Sequence, residues 1–327
     1  MKILFVIGNG FDINLGIKSK YNDFYNFYQT VNSNSESIAT LKKSISGDLK
    51  NWSDLELALG NYTQNIHSTS DFDEIFDDIG DNLAEYLRQE QEKFDFAQVD
   101  TSSFFRDLCF PEDFLPRADC IKLNTYRDKW TTSQWNINIM TLNYTNIIET
   151  ILNNSFENIE IGSHHQNKPI KIRSIEHIHG YIDDRMILGV NDITQIKNSN
   201  FHSNQEVIEA LIKTNCNKAQ KHTVDDLCKN QIESASLICI FGSSIGDTDN
   251  YWWELIGKQL TRGCQLIIFT KGEEVTRRRL YKNVRLEREV KKQFLIKTKL
   301  DDTEKILVED NIFVGVNTEL FSKIIKR

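Results

Sequence analysis

The chain has 327 residues, of which 39% are hydrophobic and 26% charged, with nineteen phenylalanines and three prolines. This is the composition of a globular protein with a substantial core, and it excludes a disordered one. A net charge of −8 and an isoelectric point near 5.5 argue against a general nucleic-acid binder, which needs a basic stripe strong enough to release counterions.

The length accommodates one large α/β domain with an insertion, or two modest domains. Six cysteines at positions 109, 120, 216, 228, 239 and 264 form no Cys-x-x-Cys pair and have no histidines at finger spacing, so no zinc or other metal site is expected from them. The apolar run after Lys2 is too short for a signal peptide or a membrane span, and no later run approaches the required length of about twenty residues. A cytoplasmic protein with reduced thiols and no membrane partner is the expectation.

Residues 2–7, Lys-Ile-Leu-Phe-Val-Ile, read as a central parallel strand buried on both faces and ended by Gly8. From residue 21 to 130 the pattern turns helical, with Phe72, Ile75, Phe76, Ile79, Leu83 and Leu87 recurring on an acidic segment. A block of about 110 residues is far longer than an ordinary crossover, so it reads as a helical insertion or lid. The α/β domain then comprises residues 1–20 and 131–327.

Further core strands are expected at 137–142, 237–241 and 265–269, with shorter ones near Ile159, at 175–179 and at 186–190. Helices are expected after Thr145, over 204–229 and over 248–260. The tail from Glu274 supplies another helix, strands near Phe294 and Ile312, and a final helix at Thr318. Strands alternating with helices imply a doubly wound, Rossmann-like, mainly parallel sheet. Between residues 270 and 292, Arg277, Arg278, Arg279, Lys282, Arg285, Arg288, Lys291 and Lys292 read as a solvated helix face, with a local basic patch as the alternative.

Four motifs could carry chemistry. Gly8-Asn9-Gly10-Phe11-Asp12 follows the first strand, where glycines permit tight turning and let backbone N–H groups approach a phosphate or ribose; a purely structural turn would use the same residues. Thr141-Leu-Asn143-Tyr-Thr145 closes the second core strand, where a carboxamide can bind a ribose hydroxyl or position water, or else Asn143 or Thr145 caps the next helix. His177-Ile-His179-Gly180 has strand alternation, which would turn both imidazoles to one side, and offers a general base or ribose-orienting histidine or a buried histidine without chemistry. Phe241-Gly-Ser-Ser-Ile-Gly-Asp247 follows the third core strand, where Gly242, Ser243, Ser244 and Asp247 could wrap a phosphate or ribose, or Asp247 or Thr248 could cap the following helix. Ser53 and Glu56 fit a capping box. Because these segments follow core strands, they converge on one crevice.

Through Ile7-Gly-Asn-Gly-Phe-Asp12, Leu142-Asn-Tyr-Thr145, His177-Ile-His-Gly180 and Gly242-Ser-Ser-Ile-Gly-Asp247, the chain resembles the bacteriophage abortive-infection AbiH family. More remotely, the series is similar to the sirtuin-like NAD-binding fold of other antiphage proteins. That resemblance implies His179 as the catalytic histidine and Asn143 as the residue that positions ribose or water. It implies Gly8 and Gly10 near the phosphates, and Gly242 with Ser244 on the adenosine side. Asp12 stands where a sirtuin-like glycine loop carries serine, which leaves NAD and another nucleotide both open as the ligand. The zinc-binding cysteine pairs of protein deacylases are missing.

The resulting expectation is an antiphage effector that binds and hydrolyses NAD or a related nucleotide, triggered by a phage or host protein; a homo-oligomer is left open. Two alternatives stand beside it. One is a nucleotide sensor or interaction module without turnover, and the other is a Mg²⁺-dependent nuclease using Asp12, Glu56 and Asp247.

Overall fold

A computed structural model describes residues 1–154, 157–273, 278 and 281–325. Its sheet contains β1 (Lys2–Ile7), β2 (Trp135–Thr141), β3 (Ile159–His164), β4 (Lys168–His177), β5 (Leu237–Phe241), β6 (Gln265–Thr270) and β7 (Ile312–Val316), in the order β3-β4-β2-β1-β5-β6-β7. Every neighbouring pair is parallel except β3 and β4. From β1 the chain builds outward first through β2 and β4, then on the other side through β5, β6 and β7. The reversal leaves a crevice at the carboxyl ends of β1 and β5, where open parallel sheets place their ligands.

Between the strands lie α1 (Gly10–Asn14), α2 (Tyr21–Tyr28), α3 (Glu36–Gly47), α4 (Leu55–Tyr62), α5 (Thr69–Glu92), α6 (Thr101–Cys109), α7 (Arg117–Arg127) and α8 (Ile147–Ile151), followed by α9 (Gln205–Leu211), α10 (Lys213–Ala219), α11 (Val224–Ser234), α12 (Asn250–Thr261), α13 (Tyr281–Lys297) and α14 (Asp302–Glu309). The unbroken apolar run of β1 follows from burial on both faces. Ile3, Phe5 and Ile7 pack with residues of α6, α7 and α8, while Leu4 and Val6 pack with α11, α12, α13 and α14.

The long block after β1 divides in its packing. Helices α2 to α5 form a separate apolar cluster with segment 182–212, whereas Phe104 and Leu108 of α6 and Leu123 of α7 join the core beneath the sheet. The helical body over the sheet is therefore α2–α5 plus a second, distant stretch of chain.

Several local expectations fail for identifiable reasons. Phe294 lies in α13 rather than in a strand, because Leu286, Val290 and Phe294 recur every four residues among charges, a helical spacing. Residues 186–190 make a single bridge, Val190 to Ile212, instead of a strand. No final helix forms at Thr318 among the described residues: Phe321 has φ 58°, a left-handed conformation no helix interior accepts, and its N–H donates to Asp107. Lys282, Arg285, Arg288 and Lys292 are exposed on α13, as a solvated face requires, and Arg278 is exposed ahead of it. Arg277 and Arg279, like Glu274, lie outside the described residues.

Candidate functional site

The turns after β1 and β5 touch backbone to backbone. The N–H of Gly8 donates to the Phe241 carbonyl at 2.9 Å, and that of Gly10 to the Gly242 carbonyl at 2.7 Å. A Cβ on Gly10 would stand 2.5 Å from Gly242 Cα, and one on Gly242, where φ is +71°, would stand 2.7 Å from the Phe11 nitrogen. These glycines are thus required for turn-to-turn packing. Gly10→Ala is expected to destabilise the protein by about 1–3 kcal/mol, read as a lower urea midpoint with an unchanged slope.

Around this junction lies a cavity of about 440 Å³, within the range of small-molecule sites. Gly8, Asn9, Gly10 and Asp12 line it from the first turn, Asn143 and Thr145 from the end of β2, His179 from beyond β4, and Gly242, Ser243 and Ser244 from the end of β5. The helical body supplies the opposite wall through Lys20, Tyr21, Asp54, Glu56, Leu83 and Leu87.

Phe11 and Asp247 do not line it. The Phe11 side chain is fully buried, its ring 5.4 Å from that of Phe321 and 6.0 Å from that of Phe104, because α1 begins at Gly10 and turns this position onto the sheet. Asp247 points outward and pairs with Lys297. It is Asp249, two residues on, that turns into the cavity. Asp249 also occupies the position before α12 where a cap was expected from Asp247 or Thr248, and it makes no side-chain cap.

Asp12 lines the cavity and is also bonded within the fold. Its carboxylate, 1% exposed, accepts from Asn143 Nδ2 at 3.0 Å and from Thr145 Oγ1 at 2.6 Å. Neither Asn143 nor Thr145 therefore caps α8. A carboxylate can only accept, so the Asn143 amide must present its NH₂ to Asp12. This leaves Asn143 Oδ1 buried without a partner, in a residue that lines the cavity. Asn9 is likewise committed, accepting from Ser19 Oγ at 2.5 Å and donating to the Ser19 carbonyl at 2.7 Å.

Burial pushes the Asp12 carboxyl up from 3.8 to about 6, against the pull of Thr145 and Asn143. The folded protein thus holds this proton more tightly than the unfolded chain. Its contribution to stability is complete below the unfolded value and lost as pH rises through about 6. In Asp12→Asn that pH dependence disappears. The variant should gain on the wild type by up to about 3 kcal/mol between roughly pH 4 and pH 7 in urea denaturation.

The two histidines part company because β4 ends at His177, so strand alternation stops before His179. His177 packs away from the cavity, with Nε2 2.6 Å from Glu149 and Nδ1 3.0 Å from the Asn143 carbonyl. His179 faces the cavity, with Nε2 3.0 Å from Asp249 Oδ1, a short contact that is not aligned as a hydrogen bond.

Asp249 also receives Lys213 Nζ at 2.9 Å, and the same ammonium reaches Glu56 at 2.7 Å. Glu56 in turn accepts from Tyr144 at 2.9 Å. Burial works against the Asp249 charge, but Lys213 and His179 outweigh it and hold the carboxyl well below the usual range. Lys213 is held above its ordinary value despite burial by Asp249 and Glu56. The expected Ser53–Glu56 capping box is not present: Asp54 caps α4, accepting from the Leu57 N–H at 3.1 Å, which frees Glu56 to turn inward.

The three carboxylates of the nuclease alternative are dispersed among Thr145 and Asn143, Lys213, and Lys297 respectively. Among the described residues, no group of three or more His, Cys, Asp or Glu side chains is arranged to hold a metal ion. Nor is any helix among them long and apolar enough to cross a membrane.

The model of the bacteriophage abortive infection AbiH family matches residues 4–270. The chain belongs to the AbiH family. No curated protein matches it. The AbiH match runs from β1 to the end of β6 and so contains every residue of the cavity, while α13, α14 and β7 lie beyond it. Membership points to a role in phage abortive infection. Lys20, Tyr21, Asp54, Lys213 and Asp249 were left unmarked by sequence patterns, and Tyr144, inside the motif that closes β2, was given no role.

Proposed function

We propose that this AbiH chain is an abortive-infection effector whose strand-end cavity binds NAD and hydrolyses its nicotinamide–ribose bond. The observation that carries the reading is Asn143, which lines the cavity together with His179, is held by Asp12 through its Nδ2, and keeps a buried Oδ1 without a partner. A small turn of this side chain brings the unspent oxygen to a ribose hydroxyl or an attacking water in the cavity. In the reaction, nicotinamide leaves with the electron pair of the glycosidic bond, water adds to the oxocarbenium-like ribose carbon, and His179 takes the proton that water releases.

The diphosphate has to be met by Lys20, Ser243 and Ser244, which line the cavity, because the Gly8 and Gly10 N–H groups are already spent on the β5 turn. Asp54 lines the cavity while the charges of Glu56 and Asp249 are met by Lys213, and this wall suits the cationic pyridinium end of NAD better than a free phosphate. A phage or host protein is the proposed trigger that releases the activity. Incubating the purified chain with NAD, with and without infected-cell extract, should yield nicotinamide and ADP-ribose. Absence of nicotinamide together with absence of a thermal shift by NAD or ADP-ribose would overturn the reading, whereas retention of NAD without product would identify a sensor.

A further inference from the structure

Four segments far apart in sequence bring their charges together beneath the cavity. Glu56 comes from α4 of the helical body, Lys213 begins α10, Asp249 precedes α12 and His179 follows β4. The Lys213 side chain is 7% exposed and those of Glu56 and Asp249 are 8% and 11% exposed, so water does little to screen them. A single ammonium bridges the two carboxylates at 2.7 and 2.9 Å, and the Asp249 oxygen it touches is the one 3.0 Å from His179 Nε2. Tyr144 ties the far end down, donating to Glu56, and lies 2.9 Å from the Ile187 carbonyl.

We infer that Lys213 is a positioning residue for His179. It fixes the Asp249 carboxylate that holds the imidazole at the cavity, and Glu56 of the helical body keeps the lysine in place. This rests on the proposed role of His179 and extends it, since it makes the helical body part of the machinery as well as a wall. Two carboxylates without the lysine would repel each other and leave His179 as the nearest cation for Asp249. With the lysine, Asp249 is neutralised from one side, and its Oδ1 stays beside His179 Nε2. Besides Asp249 and Lys213, the groups near His179 are Tyr144, whose ring centroid is 6.4 Å away, and Asp225, whose carboxyl is electrostatically coupled to the imidazole.

The test is a titration of the full chain with ¹⁵N-labelled histidine, which needs no substrate, run beside NAD turnover. In Lys213→Met the His179 resonance should titrate about one unit or more higher, a tenfold tighter proton, and Lys213→Arg should restore the wild-type midpoint. Turnover should fall in kcat by about tenfold or more, with KM for NAD within about twofold. If Lys213→Met does not fold, the double variant Glu56→Gln/Lys213→Met removes both charges of the buried pair and should show the same upward shift. An unchanged His179 midpoint in a folded Lys213 variant overturns the inference, whatever turnover does. A wild-type chain that releases no nicotinamide overturns the NAD reading alone, because the titration still reports the coupling.

Discussion

His179→Ala is expected to cut nicotinamide release from NAD by on the order of 10²–10⁴-fold, the usual worth of a positioned acid–base group, while NAD or ADP-ribose still shifts the melting temperature. The argument is geometric. His179 is 4% exposed, its Nε2 lies 3.0 Å from Asp249 Oδ1, and it lines the cavity. Asn143, whose Oδ1 is buried without a partner, lines the same cavity. A water between these groups could give up its proton to the imidazole while Asn143 orients its second hydrogen. His177→Ala is the control, since His177 lies outside the cavity and engages Glu149; it should lower stability more than turnover in the folded protein. Equal turnover by His179→Ala and wild type would remove the catalytic assignment and leave ligand binding to be judged separately.

The lining of the candidate site was legible in the sequence wherever a residue follows directly on a core strand. Uninterrupted apolar runs such as Ile3 to Ile7 announce strands covered on both faces, and the residues just past them, Gly8, Asn143 and Gly242, must lie at one edge of a parallel sheet. What was not legible depends on partners distant in the chain. An aspartate beside two glycines looks like an obstacle to a phosphate, and nothing nearby shows that Asp12 is matched by Asn143 and Thr145, 131 and 133 positions away. Glu56 had a local explanation as a cap, yet its ammonium partner is 157 residues on.

Resolution of single positions was lost too. Asp247 and Asp249 differ by two residues, but one points outward to Lys297 and the other inward to Lys213, a choice made by the 3₁₀ turn between them. The same limit explains Phe11, which sits inside a ligand-like motif and serves the core.

That placement leads to the second large effect. Phe11→Ala is expected to cost about 3–5 kcal/mol of folding free energy, the range for removing a buried phenylalanine ring. Its ring is fully enclosed among Phe104, Phe241 and Phe321, at centroid distances of 6.0, 6.4 and 5.4 Å. Because Phe321 belongs to the C-terminal segment and Phe104 to α6, the hole would loosen three parts of the core at once. Phe11→Leu, which retains much of the volume, should recover most of the stability. Asp247→Asn, the other motif residue placed outside the cavity, should change stability by less than about 0.5 kcal/mol and leave ligand-induced thermal shifts intact. A Phe11→Ala protein as stable as wild type but unable to bind nucleotide would reverse the assignment, returning Phe11 from the core to the site.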